Sequence, residues 1–396
     1  MSETETFVGE KLEKQEDRNF FQIDFLKAIM IFLVIFDHTI PWSIKDGLGV
    51  SLWERISIPV FLVIMGFNWG YSYKRRGQTS LIQLYSWSYW KRKFWRFIFP
   101  YLVLYLISTI IGLILYDFDF EAMFITQTWD PEGTYNRFQF LHLIIGIIPF
   151  YGPGIWFLPV IFSAIIILPL LYKGFSGKFI WAAITLISCF LLEILIQLYI
   201  FTNIGGPPFP TWEAYYDFQL IYMFFVTNVL FMISAVALGM WFSRNPNIFA
   251  KQNLFMFILF PLSLIYLINY QFYDFRFEFI RGDYNLFVFP YSAFLFLITL
   301  KILPKKSDNL TAKGITVIGK STYHILLAQI FYLGIAKYLY GNHYCASILG
   351  ISTGDPIACF RHLIINWIIC VPAGIFWWYL ESLIIKLVKS RKSKRN

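Results

Sequence analysis

The sequence predicts an all-α integral membrane protein, a bundle of about ten transmembrane helices. Hydrophobic residues make up 58% of its 396 residues and charged residues only 14%, whereas a typical soluble domain carries about 25% charged residues. The mean hydropathy is +0.58. This composition excludes a soluble enzyme, a disordered protein and a disulfide-stapled secreted module. The net charge of +9 does not indicate nucleic-acid binding, because the Lys and Arg residues stand in short blocks between long apolar runs.

Ten apolar runs are long enough to cross a bilayer, for which a helix needs about 20 mainly apolar residues. Strands are a poor alternative, because the runs 161–171 and 180–192 do not alternate polar and apolar side chains as barrel strands do. The predicted spans are 20–41, 52–73, 94–116, 155–172, 179–201, 219–242, 253–270, 285–303, 321–340 and 361–388.

The loop charges predict the orientation of these spans. Most of the 33 Lys and Arg residues fall on one side if the N-terminus is cytoplasmic, and positively charged loops stay in the cytoplasm. The mixed charge of residues 1–19 is unlike the basic start of a cleavable signal peptide. We therefore expect a cytoplasmic segment 1–19, one transmembrane domain 20–388 and a basic cytoplasmic tail 389–396, placed in the cell membrane with both termini inside.

The first predicted span carries the most informative polar residues, since charges at membrane depth are costly and usually functional. Asp24 and Lys27 are three residues apart, so they can pair on one helix face. His38 follows Lys27 by close to three full turns, which places it on the same face about 16 Å nearer the outside. Imidazole is the commonest general base. His38 is therefore a candidate catalytic base, and a histidine hydrogen-bonded at the outer interface explains it equally well.

Glu193 is a second charge at membrane depth, in a span predicted to run outwards. Its carboxylate could orient or acidify a reacting group, which makes it a candidate catalytic residue. A hydrogen bond between helices accounts for it equally well.

A basic block precedes the third predicted span. Arg92 and Arg96 are four residues apart, so they share one helix face at the mouth of that span. One arginine guanidinium can bind two phosphate oxygens at the same time. A phosphate-rich donor such as coenzyme A would need a pair of arginines like Arg92 and Arg96, with Lys93 beside them. Ordinary anchoring by positive charges on the cytoplasmic side explains most of these cations.

The four cysteines form no CxxC pair, so the sequence predicts no zinc site, and no other metal site is apparent. Cys345 and Cys359 both fall in the last outer loop. A disulfide can form there, but two free thiols are the simpler expectation.

Five segments, taken in order, resemble the acyltransferase family 3 membrane proteins. That family has a basic residue and a His separated by ten positions in its first span, an apolar segment ending in Gly-Phe, an RxxRxxxPY stretch, a Trp-aromatic-Leu segment and a late Gly-x-Ser-x-Tyr. The similar segments here are Lys27 to His38, Ile58–Phe67, Lys91–Tyr101, Gly154–Leu158 and Ile318–Leu327. Lys27 replaces the usual Arg, and Gln329 stands where many members have His.

The resemblance implies transfer of an acyl group, often acetyl, from acyl-CoA to a hydroxyl of an extracytoplasmic or lipid-linked glycan. His38 would be the catalytic base and Lys27 the cation of the first span, while Arg92 and Arg96 would serve the donor. The expected partners are acyl-CoA, the glycan acceptor and the lipid bilayer, without nucleic acid or metal. The alternative is a secondary transporter or exporter of a polar or lipid-linked sugar compound, which many spans and charges at membrane depth also suit.

Overall fold

The computed structural model describes residues 20–119, 148, 152–203, 228–275, 277, 284–341, 345–352 and 355–393. The predicted segment 1–19, the first part of the predicted span 219–242 and the last residues of the basic tail lie outside the described residues.

Helices dominate the described chain, and each of the ten predicted spans overlaps a helix, although those at Ile233–Phe242 and Phe289–Ile302 are short. The longer helices are α1 (Phe21–Thr39), α2 (Ser57–Arg75), α3 (Trp87–Lys93), α4 (Phe99–Leu115), α5 (Phe157–Phe175), α6 (Phe179–Asn203), α7 (Ile233–Phe242), α8 (Met256–Tyr273), α9 (Phe289–Ile302), α10 (Leu310–Tyr340) and α11 (Pro356–Ser393). Shorter helical segments are Trp42–Lys45, Asp46–Leu48, Val50–Leu52, Leu81–Leu84, Phe94–Ile98, Val229–Met232 and Lys251–Asn253.

Six helical segments of the described chain are long and apolar enough to cross a membrane. They are Val50–Arg75, Leu81–Leu115, Phe157–Phe175, Phe179–Tyr199, Lys251–Tyr273 and Pro356–Leu387. Helix α1 is not among them, and it carries the three charged residues Asp24, Lys27 and Asp37. The protein is therefore an all-α, multi-pass membrane protein, while the count of ten spans and the orientation stay predictions.

Helices α2 and α7 approach each other closely because both present glycine at their contact. A Cβ atom at Gly66 would lie 2.0 Å from the carbonyl oxygen of Val236, and one at Gly239 would lie 1.9 Å from that of Val63. Small residues allow membrane helices to pack backbone against backbone. This contact joins α7 to the helix that follows α1.

Helix α1 lies inside the bundle, where it packs against α2, α9, α10 and α11. Gly319 of α10 fits directly against the backbone of Asp24, since a Cβ there would lie 2.3 Å from the Asp24 carbonyl oxygen. This close contact fixes the position of α10 along the axis of α1. The polar residues of α1 therefore face helices of the bundle.

A short β-hairpin follows α10. Its two strands have two residues each, and β1 (Ala346–Ser347) is antiparallel to β2 (Gly350–Ile351). A disulfide joins Cys345 to Cys359 at the base of this hairpin, so the simpler expectation of two free thiols is wrong. The two cysteines come together because the hairpin turns the chain back toward the start of α11. The backbone N–H of Cys345 donates to the carbonyl oxygen of Thr39 at 2.8 Å, which ties the hairpin to the end of α1.

The basic block before the third predicted span lies where an α-helix passes into a π-helical segment. Residues Phe94–Ile98 form one π-helical segment between α3 and α4, and Pro100 in the first turn of α4 has no N–H to donate. Such π segments are rare and often lie at functional sites. Arg96 sits inside the segment, and Arg92 and Lys93 lie at the end of α3.

Candidate active site

His38 lies in the last turn of α1 with its side chain 13% exposed. Its Nδ1 atom is 2.6 Å from Nε2 of Gln329, which reaches it from α10. Its Nε2 atom is 3.8 Å from a carboxylate oxygen of the neighbouring Asp37, which is an ion-pair distance and too long for a hydrogen bond. The ring is thus held at Nδ1, and its Nε2 atom makes no hydrogen bond to a described residue.

The turn that precedes α5 closes over the same ring. Gly154 has φ +96°, and a Cβ atom there would lie 2.9 Å from Cε1 of His38. The carbonyl oxygen of Pro153 accepts a 3.1 Å hydrogen bond from Nε2 of Gln329. The N–H of Gly152 donates to the carbonyl oxygen of Ile330 at 2.7 Å, which fixes the turn to α10. Only glycine fits at position 154, because of both its φ angle and its contact with the imidazole.

Charged and aromatic residues lie next to His38 on its predicted outer side. Lys45 is buried, and its Nζ atom donates to the backbone carbonyl of Asp37 at 2.5 Å and to the Asp37 carboxylate. The Nζ atom also lies 4.9 Å from the centre of the Trp42 ring, and the guanidinium of Arg55 lies 4.4 Å from that ring. The Asp37 carboxylate is therefore occupied mainly by Lys45 and only weakly by His38.

The other end of α1 carries the predicted ion pair. Nζ of Lys27 lies 2.7 Å from a carboxylate oxygen of Asp24, as the spacing of three residues predicts. Arg96 and Lys320 are close enough to interact electrostatically with Lys27, and Arg96 also interacts with Asp24. Arg96 is therefore within electrostatic range of Asp24 and Lys27, which form one end of the polar stripe of Asp24, Lys27 and His38.

Lys93 does not point freely into solvent. Its Nζ atom lies 3.4 Å from the centre of the Trp69 ring and 5.5 Å from the centres of the Tyr89 and Phe97 rings. Arg92 and Arg96 interact with it electrostatically, and both are exposed. Among the described residues, no carboxylate forms an ion pair with these three cations. We call Arg92, Lys93 and Arg96 the basic turn.

Glu193 lies apart from these groups. It is buried on α6, and its Oε2 atom accepts hydrogen bonds from the backbone N–H of Ser234 at 3.1 Å and from the Ser234 hydroxyl. Ser234 is the second residue of α7, so the carboxylate binds at the N-terminus of that helix, where a negative charge is favourable. None of its described contacts is with His38, and a catalytic role for Glu193 stays a prediction.

Two parts of this site were not identified as such from the sequence. The sequence marks Gln329 as a polar residue at membrane depth and as a departure from the family pattern, but it does not predict the contact of Gln329 or of Gly154 with the His38 ring. Glycine often occupies positions where the backbone has a positive φ angle or where a neighbour leaves no room for a Cβ atom. Gly154 therefore indicates such a position in the sequence, but it does not identify His38 as the residue in contact.

No group of three or more His, Cys, Asp or Glu residues in the described chain could hold a metal ion.

A family model described as an acyltransferase domain (Acyl_transf_3) matches residues 20–383. The matched region contains the polar stripe, the basic turn, the turn at Gly154 and Gln329. No curated protein and no solved structure matches the chain.

Proposed function

The chain belongs to the acyltransferase 3 family, and we propose that it moves an acyl group, acetyl in the first instance, from cytoplasmic acyl-CoA to a hydroxyl of an extracytoplasmic or lipid-linked glycan. As a multi-pass membrane acyltransferase it would act in the cell membrane, with His38 as the catalytic base. The basic turn would hold the donor phosphates.

One arrangement supports this proposal: Arg96 of the basic turn interacts electrostatically with the Lys27 end of α1, and His38 lies near the other end of the same helix. Arg96 interacts with Asp24 and Lys27 at one end of the stripe. His38 lies about 16 Å along the helix axis from Lys27, on the same face. The pantetheine arm of acyl-CoA is a long, narrow chain that suits a path of this length. A donor held by its phosphates at the basic turn could present its thioester near His38.

Electrostatics support an anionic ligand at the basic turn. Its three cations have no ion pair with a described carboxylate, and Lys93 is held over aromatic rings instead. Guanidinium groups bind phosphate oxygens through paired, charge-assisted hydrogen bonds. Diphosphate and phosphate groups of coenzyme A match this set of donors better than a carboxylic acid or a neutral sugar does.

The proposed reaction needs one base and no metal. Nε2 of His38 takes the proton of the acceptor hydroxyl, and the oxygen attacks the thioester carbonyl to form the new C–O bond. The C–S bond then breaks, and the coenzyme A sulfur leaves with the proton returned by the imidazolium. Base catalysis of this kind contributes about 100- to 10,000-fold to the rate.

Labelled acetyl-CoA given to membranes that contain the protein tests the proposal. We expect label to leave coenzyme A and to appear in a glycan or lipid fraction, where mass spectrometry finds an acetyl mass shift. His38→Ala should reduce this transfer by about 100-fold or more. His324→Ala is the matched control, because His324 is a buried histidine whose Nε2 atom lies 2.9 Å from a carboxylate oxygen of Glu381 on α11.

The outcomes separate the candidate functions. Label that stays on coenzyme A while a sugar compound crosses the membrane would support the transporter and overturn the acyltransferase proposal. Full transfer by folded His38→Ala protein would remove His38 from the mechanism while leaving the acyltransferase activity in place.

A further inference from the structure

Only the nitrogen of the Gln329 side-chain amide has hydrogen-bond partners among the described residues. Its nitrogen carries two hydrogens, one for the carbonyl oxygen of Pro153 at 3.1 Å and one for Nδ1 of His38 at 2.6 Å. Its oxygen is buried and has no hydrogen-bond partner among the described residues. The side chain as a whole is fully buried on α10.

The Pro153 carbonyl decides which way this amide faces. If the amide were turned over, the Gln329 oxygen would face the Pro153 oxygen, and two acceptors would meet without a proton between them. With the nitrogen toward Pro153, the same nitrogen donates to Nδ1 of His38. An Nδ1 atom that accepts a hydrogen bond has no proton of its own, so the neutral ring carries its proton on Nε2.

We propose that Gln329 is the positioning residue that selects the tautomer of His38 and holds the resting ring with its proton on Nε2. This inference rests on the proposed function, in which the acceptor hydroxyl must lose its proton to Nε2. A ring with N–H at Nε2 can donate to a carbonyl oxygen, but that nitrogen cannot accept a proton. Base catalysis therefore requires the Gln329 amide to turn over.

Turning the amide favours the active tautomer, which forms when the ring takes one proton from water at Nδ1 and releases the proton of Nε2 to water. The Gln329 oxygen then accepts the Nδ1 proton, and Nε2 presents its lone pair to the acceptor. Rotation about the last torsion of glutamine is soft and nearly two-fold, so the cost lies in the contacts: the hydrogen bond to Pro153 is lost, two acceptor oxygens face each other there, and the amide nitrogen moves to a position with no described acceptor. An acceptor whose hydroxyl donates to Nε2 binds only the turned state well and shifts the population toward it. The described charged groups that act on the ring, Asp37 and Lys45, remain the same in both states.

Nitrogen NMR of ¹⁵N-histidine-labelled protein reads the tautomer directly. The chain has 5 histidines, so the His38 signals can be assigned by their loss in His38→Gln. We expect the wild-type ring to be protonated on Nε2 without substrate. Gln329→Met, which keeps the length and removes the amide, should abolish this preference. Gln329→Glu offers only acceptors to Nδ1 and should move the proton to Nδ1.

Kinetics give a second readout. Gln329→Met should lower kcat by about 10- to 100-fold, the range found for partners that orient metal-binding histidines, with the KM for acetyl-CoA unchanged. The matched control is Gln22→Met. Gln22 is also a buried glutamine whose amide nitrogen donates to two groups, the carbonyl oxygens of Leu300 and Leu303, away from His38. The control should leave both kcat and the His38 tautomer unchanged.

Two results would overturn the inference: a wild-type ring protonated on Nδ1, or a tautomer that Gln329→Met leaves unchanged. Both are measured without turnover, so they are distinct from a failure of the proposed function, which would show as absence of label transfer by the wild-type protein.

Discussion

The hydroxyl group of Tyr323 donates a 2.8 Å hydrogen bond to the backbone carbonyl oxygen of Phe97. Tyr323 lies on α10, and Phe97 lies in the π-helical segment that contains Arg96. Six residues further along α10, Gln329 binds His38. One helix therefore contacts both the proposed donor-binding end and the proposed reacting end of the site.

Tyr323→Phe should weaken donor binding. The substitution removes one hydrogen bond, worth about 1 kcal/mol, from the segment that presents Arg96. We expect the KM for acetyl-CoA to rise about fivefold, with kcat little changed, in membranes that contain equal amounts of protein. Tyr338→Phe is the matched control, because its hydroxyl makes the same kind of bond from α10 to the carbonyl oxygen of Leu115 at the far end of α4. An equal rise in both variants would mean that Tyr323 acts only through helix packing.

Replacing Arg92 and Arg96 together by Ala should reduce acyl-CoA affinity by about tenfold or more, since hydrogen bonds to charged groups contribute about 1.5–3 kcal/mol each. The effect should shrink at high salt, because both side chains are exposed. The measurement is binding of labelled acyl-CoA to purified protein.

The double variant Arg75→Ala with Lys91→Ala is the control for the arginine pair. It removes the same charge from exposed positions on the same predicted face of the membrane. Equal donor affinity in the two double variants would argue that Arg92 and Arg96 serve only as topology anchors.

Local spacing explains what the sequence predicted well. The Asp24–Lys27 pair follows from three residues of helix rise, and each apolar run predicted a helix by its length. The contact of His38 with Gln329 joins residues 291 positions apart, and helical periodicity contains no information about such a pair. The same reason applies to Gly154 against His38. The π-helical segment was also missed, because Phe94–Ile98 reads as ordinary helix in any pattern of apolar residues.

Glu193→Leu should separate a structural from a catalytic role for this carboxylate. The variant leaves the N–H and the hydroxyl of Ser234 without their acceptor, so we expect a loss of about 1–3 kcal/mol in the free energy of unfolding. The rate of transfer per folded molecule should stay unchanged. Thermal unfolding in detergent gives the first quantity, and label transfer normalised to folded protein gives the second. A loss of rate by 100-fold in folded protein would instead establish the catalytic role.

Gly239→Ala should destabilise the bundle, because its Cβ would lie 1.9 Å from the carbonyl oxygen of Val63. Backbone cannot yield as a flexible side chain does, so α2 and α7 must move apart. Overpacking of this kind costs about 1–3 kcal/mol or more. Thermal unfolding measures the loss. Gly314→Ala is the control on α10, where nothing lies within 4 Å of the new Cβ, and it should stabilise the helix by about 0.5–1 kcal/mol. Similar unfolding temperatures for the two variants would contradict the close packing of α2 on α7.

Reducing the disulfide should loosen the outer end of the site. Cys345 and Cys359 are separated by 14 residues, and closing a loop of that size stabilises a fold by about 3 kcal/mol. The Cys345 N–H binds the carbonyl oxygen of Thr39, the residue after His38, so the loss acts at the end of α1. We expect a reductant, or Cys345→Ser with Cys359→Ser, to lower the unfolding temperature and the transfer rate together. The double serine variant must not respond further to reductant, since any remaining response would come from the other two cysteines, Cys189 and Cys370, which are buried free thiols.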